Sequence, residues 1–310
     1  MNNLYRSLLI GVIAVSSCVF DASAQDSIPY EQKKDLVFGE VHGTGLLMDV
    51  FVPKGASNGL AIVDIASGAW NSDRSKIRDH TLAQIYPIFC TRGYTVFAIR
   101  PGSKTRYTVA EMDRHVKLGI RYIKEHATEY GIDPERLGIT GASAGGHLAT
   151  LAALTPLAGK PDSDKASQRL STSVKAVGVF FPPTDLVEWD TDKKPDPEIV
   201  GPLLFLNGSK GHTEEEILAK SREASPLYRV GTPTIPFLLI HGDSDSTVPI
   251  SHSQKLVDAI KKVGGSAELI IKKGGGHAWI TLPEEVRTLA DWFDAKLGAT
   301  PINVETKKTP

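Results

Sequence analysis

The segment Leu137-Gly138-Ile139-Thr140-Gly141-Ala142-Ser143-Ala144-Gly145-Gly146-His147 constrains what this chain can fold into more than any other. It reads as a short apolar strand, a serine in the pattern G-x-S-x-G, and the start of a helix of small residues. A serine on so sharp a strand-to-helix turn has a strained backbone and projects its hydroxyl above the sheet. Gly141 and Gly145 leave room for the turn and for close helix packing, where a Cβ would collide. The helix that follows points its first amides at the same spot, where negative charge is stabilised. The segment therefore predicts a strand end in an α/β sheet, with Ser143 as a nucleophile.

A serine hydroxyl is a weak nucleophile and needs a base, which in turn needs an orienting acid. Both follow in the order Ser…Asp…His. Thr234 to Ile240 is an apolar strand that runs into the polar loop His241-Gly242-Asp243-Ser244-Asp245, and Ala267 to Ile271 is a second strand that leads through Lys272–Gly276 to His277. In open α/β sheets functional groups collect at the carboxyl ends of strands. Asp245 and His277 both stand a few residues beyond a strand, as Ser143 does. Asp243 is the alternative acid.

Residues from about Lys34 to Leu297 resemble the α/β-hydrolase superfamily, and within it the bacterial feruloyl-esterase-like and acetylxylan-esterase-like serine esterases. The resemblance is carried by Asp133-Pro134-Glu135-Arg136, the Gly141–His147 turn, Ala224-Ser225-Pro226, the loop from His241 to Asp245 with Val248-Pro249, and Gly275-Gly276-His277. It implies Ser143 as nucleophile, Asp245 as acid and His277 as base, with no cofactor. Dienelactone hydrolases share the fold but usually carry cysteine at the turn, so Ser143 argues against them.

One stretch departs from the pattern. Relatives commonly carry His-Gly-Gly-Gly and then a tryptophan after the third strand, whereas this chain has Ala66-Ser67-Gly68-Ala69-Trp70. An oxyanion hole uses backbone amides, so small residues can serve. Gly68, Ala69 and Ala144 are the expected donors. Trp70 is a candidate for lining the acyl pocket or stacking on a sugar, and equally for a core aromatic.

The chain has 310 residues, a net charge of −1 and 41% hydrophobic residues, which suits a single globular domain and offers no basic surface for nucleic acid. Met1–Arg6 is short and basic, Ser7–Val15 is largely apolar, and Ala22-Ser23-Ala24 has the A-x-A cleavage pattern. Residues 1–24 therefore read as a secretory signal peptide, too short for a membrane span. Val15-Ser16-Ser17-Cys18 offers an alternative lipoprotein route, and the other cysteine, Cys90, reads as a buried packing residue.

Alternating elements over residues 25–298 predict a mostly parallel sheet flanked by helices. A hairpin is expected around Gly43-Thr44-Gly45, a helix through Leu82–Arg92, and one amphipathic helix over Val109–Tyr130, where Met112, Val116, Ile120 and Ile123 recur at helical spacing. Residues 182–230 are expected to hold a small cap, with Leu203-Leu204-Phe205-Leu206 packed on the core and Asp185 and Glu188 as surface carboxylates. Residues 299–310 read as a flexible tail. His147 lies one turn into the helix behind Ser143, which places it away from the hydroxyl. The other histidines, including His80, His212 and His252, lack metal-ligand spacing. These readings converge on a secreted or periplasmic serine carboxylesterase acting on short-chain or aryl esters, such as acetyl or feruloyl groups on plant polysaccharide. Oligomeric state is not legible. The rival readings are a prolyl-oligopeptidase-like serine exopeptidase, which usually carries a large additional domain where this chain has about ten residues, and a non-catalytic binding protein on a hydrolase scaffold.

Overall fold

A computed structural model describes residues 28–190, 197–231 and 235–300. The expected signal peptide with Cys18, and residues 301–310 of the expected tail, lie outside them. Eight strands form one sheet in the order β1-β2-β4-β3-β5-β6-β7-β8. β1 (Tyr30–Val41) and β2 (Thr44–Pro53) form a hairpin, and β2 also runs antiparallel to β4 (Thr95–Arg100). β3 (Ala61–Ile65), β5 (Leu137–Ala142), β6 (Ala176–Phe180), β7 (Phe237–Gly242) and β8 (Ala267–Lys272) continue in parallel. The architecture is the mostly parallel α/β-hydrolase sheet.

Successive strand residues face opposite ways, and both faces are buried. Val63, Ile139, Val177 and Leu239 point to a layer made by α3 (Val109–Glu125), α5 (Ala144–Leu154) and α8 (Ser251–Lys262). Ile62, Ala176, Leu238 and Ile240 point to α1 (Arg74–Leu82), α2 (Ile85–Thr91) and α9 (Leu282–Leu297). Such strands read as continuous apolar runs, as parallel strands covered on both sides must. α9 packs unusually close: a Cβ on Gly138 would stand 2.6 Å from Phe293, and one on Gly178 would overlap Leu289.

Three local predictions shift. The β1–β2 turn is made by His42 and Gly43, at φ 51° and 69°, so Thr44 and Gly45 already belong to β2. Two consecutive left-handed residues are what a tight two-residue hairpin needs. The helix expected through Leu82–Arg92 is two helices that meet at Gln84, which is left-handed at φ 64°. Pro87 explains the break, because it has no N–H to offer Ala83 O and its ring would crowd that carbonyl. The helix expected over Val109–Tyr130 divides at His126 into α3 and the short α4 (Ala127–Tyr130), although the predicted stripe is buried throughout. Thr108 and Glu111 close the start of α3 as a reciprocal capping box.

Within residues 182–230, α6 (Pro197–Leu204) and α7 (Glu214–Ala224) lie over the α3/α5 layer. Leu203 and Leu204 join that core, Phe205 packs against it, and only Leu206 is exposed. Asp185 is buried rather than on the surface: its Oδ1 accepts the Val187 and Glu188 amides, and Lys255 Nζ lies 3.4 Å from its Oδ2. Among the described residues no helix is long and apolar enough to cross a membrane. Because Phe293 fills the space left by Gly138 and Gly178, Phe293→Ala is expected to cost about 3–5 kcal/mol, read as a lower urea midpoint at unchanged slope.

Candidate active site

Ser143 sits between β5 and α5 at φ 53°, ψ −122°. The strain is held from both sides: its N–H donates to Phe180 O at 2.9 Å, and its carbonyl accepts the His147 N–H at 2.9 Å. A Cβ on Gly141 would stand 2.5 Å from the Gly145 carbonyl carbon, and one on Gly145 would overlap Ile65 O at the end of β3. The first turn of α5 can therefore settle onto the strand ends, and the Gly145 N–H donates to Ser67 O at 3.0 Å.

The Ser143 hydroxyl donates to His277 Nε2 at 2.8 Å, and His277 Nδ1–H donates to Asp245 Oδ2 at 2.8 Å. Asp245 Oδ1 accepts the Thr247 and Val248 amides at 2.8 and 2.9 Å. Burial alone would raise the Asp245 carboxyl, but hydrogen bonds from His241, His277 and Val248 outweigh it and hold the acid well below the ordinary carboxylate range. Asp245 is therefore held as a carboxylate beside His277. Asp243 does other work: its Oδ1 accepts the Gly274 N–H at 2.7 Å and so fastens the loop that carries His277. One residue unforeseen in the sequence braces His277. Phe181, at φ 35°, lies with its ring 4.7 Å from that of His277 and 5.9 Å from that of Trp279.

The loop after β3 is a small hairpin. Gly68 and Asn71 exchange N–H···O bonds of 2.9 Å, and Ala69 and Trp70 between them have φ 48° and 56°. The Gly68 amide, expected as an oxyanion donor, is thus committed to Asn71 O. The Ala69 amide, like that of Ala144 at the start of α5, has no hydrogen-bond partner among the described residues. Left-handed backbone costs an L-residue about 1–2 kcal/mol, and here side chains hold it in place. Trp70 Nε1–H donates to His147 Nδ1 at 3.0 Å, and His147 Nε2–H donates to Ala224 O, at the end of α7, at 2.8 Å. Trp70 is buried and pinned edge-on to His147, and it also lines the cleft that holds Ser143, so it both packs in the core and contributes to the cleft wall.

Ser143, His277, Ala69 and Phe181 face one cleft of about 790 Å³, whose walls also include Trp189 and Ile199 from the 182–230 segment. Two buried histidines hold this region together in their neutral form. Burial, only partly offset by the bond to Ala224 O, drives His147 down to about 4. Burial likewise takes His252, which accepts the Thr184 and Asp185 amides at Nδ1, down to about 4. The unfolded chain binds protons at these sites between about pH 6.5 and 4 while the folded chain does not, so stability is full above that window and falls as pH drops through it. Denaturant titrations at pH 7, 5.5 and 4.5 should show this loss, and His252→Gln should make the slope shallower.

The BD-FAE family matches residues 48–260. Relatives include a probable carboxylic ester hydrolase, LipM, and the esterase LipQ, both of Mycobacterium tuberculosis. They are 30% identical over 76% of this chain and 28% over 73%. The chain spans about half the length of these relatives, 53% and 52%. Among solved structures, a truncated carbohydrate esterase from gut microbiota superposes with a TM-score of 0.73 at 24% identity, covering 88% of this chain and 98% of that one. A propionate-bound esterase of Thermogutta terrifontis superposes at 0.66 with 23% identity, covering 89% and 97%. With more than half of its length matched, the chain belongs to the BD-FAE family of α/β-hydrolases.

Proposed function

We propose that this protein is a serine carboxylesterase for short-chain or aryl esters, exported under the direction of residues 1–24 and acting on acyl groups such as acetyl or feruloyl on plant polysaccharide. One observation carries the reading: Ser143, His277 and Asp245 are hydrogen-bonded in series at the edge of a cleft also lined by Ala69, whose amide has no hydrogen-bond partner among the described residues. Family membership and the superposition on a carbohydrate esterase support the substrate class.

In this mechanism Ser143 Oγ attacks the ester carbonyl and its proton passes to His277 Nε2, while Asp245 stabilises the imidazolium that forms. The carbonyl oxygen becomes an oxyanion held by the Ala69 and Ala144 amides, which are aimed before the charge develops. As the intermediate collapses, His277 gives its proton to the departing alcohol. Water, deprotonated by His277, then releases the acid from Ser143.

Purified protein assayed on p-nitrophenyl acetate, butyrate and octanoate, methyl ferulate and acetylated xylan tests this reading. Ser143→Ala should lower turnover by about four to six orders of magnitude without unfolding the protein. Full activity in that variant would remove the proposal, and cleavage of dipeptide anilides with inert esters would replace it with the exopeptidase. Asp245→Asn is expected to cost about 10⁴ in kcat, whereas Asp243→Asn disturbs only the loop and costs far less. Trp70→Phe releases the hairpin from His147, and its kcat should fall about tenfold to a hundredfold with KM little changed.

A further inference from the structure

A second Asp–His pair lies against the same cleft. Asp64, in β3, is fully buried on the α1/α2/α9 side of the sheet, between Ile62 and Ala66. Its Oδ2 accepts His80 Nδ1–H at 2.7 Å and the Tyr86 hydroxyl at 3.0 Å. Its Oδ1 has no partner among the described residues, nor has Thr140 Oγ1, on the residue directly opposite in β5. Burying a carboxylate in an apolar layer costs several kcal/mol, and packing alone would be served by a leucine. What the carboxylate does here is hold an imidazole: a bond at Nδ1 determines which ring nitrogen is left for other partners.

His80 is on α1, is 7% exposed, and is one of the residues lining the cleft, together with Lys76 and Asp79 of the same helix and with Ile85, Phe180, Leu282 and Val286. Its Nε2 has no hydrogen-bond partner among the described residues and is not sealed from the cleft. The cleft wall here sets apolar side chains beside the imidazole, with the Lys76–Asp79 ion pair on the same helix. Nε2 accepts a hydrogen bond when the ring is neutral and donates one when it is protonated, and a hydroxyl satisfies both states. Burial would lower the imidazole, but the Asp64 charge and hydrogen bond outweigh it and raise it.

We propose that His80 is a specificity-determining residue whose Nε2 binds a hydroxyl on the substrate group seated against this wall of the cleft, with Asp64 as its positioning residue. The inference rests on the esterase reading of Ser143. The hydroxyl belongs either to the acyl group, as in a hydroxyaryl acid, or to the alcohol, as in a sugar, and two matched pairs separate these sources. Methyl 4-hydroxycinnamate against methyl cinnamate reports on the acyl side. trans-4-Hydroxycyclohexyl acetate against cyclohexyl acetate reports on the alcohol side. General damage to the site divides out of each ratio.

For the wild type, kcat/KM in one of the pairs should favour the hydroxylated member about tenfold or more. The double variant Asp64→Asn/His80→Phe, which leaves no unpaired buried charge, should bring that ratio to about one. His80→Gln should keep part of it. If the double variant fails to fold, Asp64→Asn alone, which keeps the ring and its shape, should still lower the ratio severalfold. Ratios near one for the wild type in both pairs would overturn the inference, as would an undiminished preference in the double variant or, where that does not fold, in Asp64→Asn. The esterase reading is tested separately by p-nitrophenyl acetate turnover in Ser143→Ala.

Discussion

The site depends on how closely the first turn of α5 approaches the ends of β3 and β5. With no side chain at Gly145, that turn rests against Ile65 O and donates a hydrogen bond to Ser67 O. With none at Gly141, the strand passes directly beneath it. This contact puts the Ala144 amide, the Ser143 hydroxyl and the loop after β3 within one small region. A methyl group at either glycine would force the helix outward and separate the Ser143 hydroxyl from the amides. Strain at Ser143, Ala69 and Trp70, of order 1–3 kcal/mol each, persists because backbone and side-chain hydrogen bonds fix these residues from several directions at once.

The electrostatics divide labour between similar groups. Asp245 and Asp243 lie two residues apart, yet one is buried among donors and orients His277, and the other is exposed and ties down the loop that carries it. His277 has Ser143 on one nitrogen and Asp245 on the other, whereas His147 and His252 have both nitrogens bonded to groups that hold the fold together. Position relative to the strand ends, more than residue type, decides which of them can meet a substrate.

That rule is why much of the molecule was legible in the sequence. Apolar runs ending in polar loops located β5, β7 and β8, and the residues just past them include Ser143, Asp245 and His277. The G-x-S-x-G spacing encodes a backbone collision and so survives translation into geometry. Features set by long-range packing were hidden. Nothing local announces that Gly68 spends its amide on Asn71, that Trp70 and His147 meet across 77 positions, or that Asp185 is covered by Lys255. The Gln84 break had a visible cause in Pro87, and the two-residue turn at His42-Gly43 had one in its glycine. In both places an apolar or glycine-rich pattern drew attention to the wrong neighbour.

The His147 bridge couples two parts of the protein that serve different ends. One nitrogen reaches the hairpin beside Ser143, and the other reaches the carbonyl that ends α7, in the segment whose Trp189 and Ile199 wall the cleft. In the proposed esterase, selectivity and rate would therefore share a mechanical linkage rather than form separable modules. An insertion exchanged for a longer or differently seated one would carry Ala224 with it and, through the imidazole, unsettle the turn that bears Ala69. Diversification of this segment is bounded by the need to return α7 to the same end point, whatever its middle recognises.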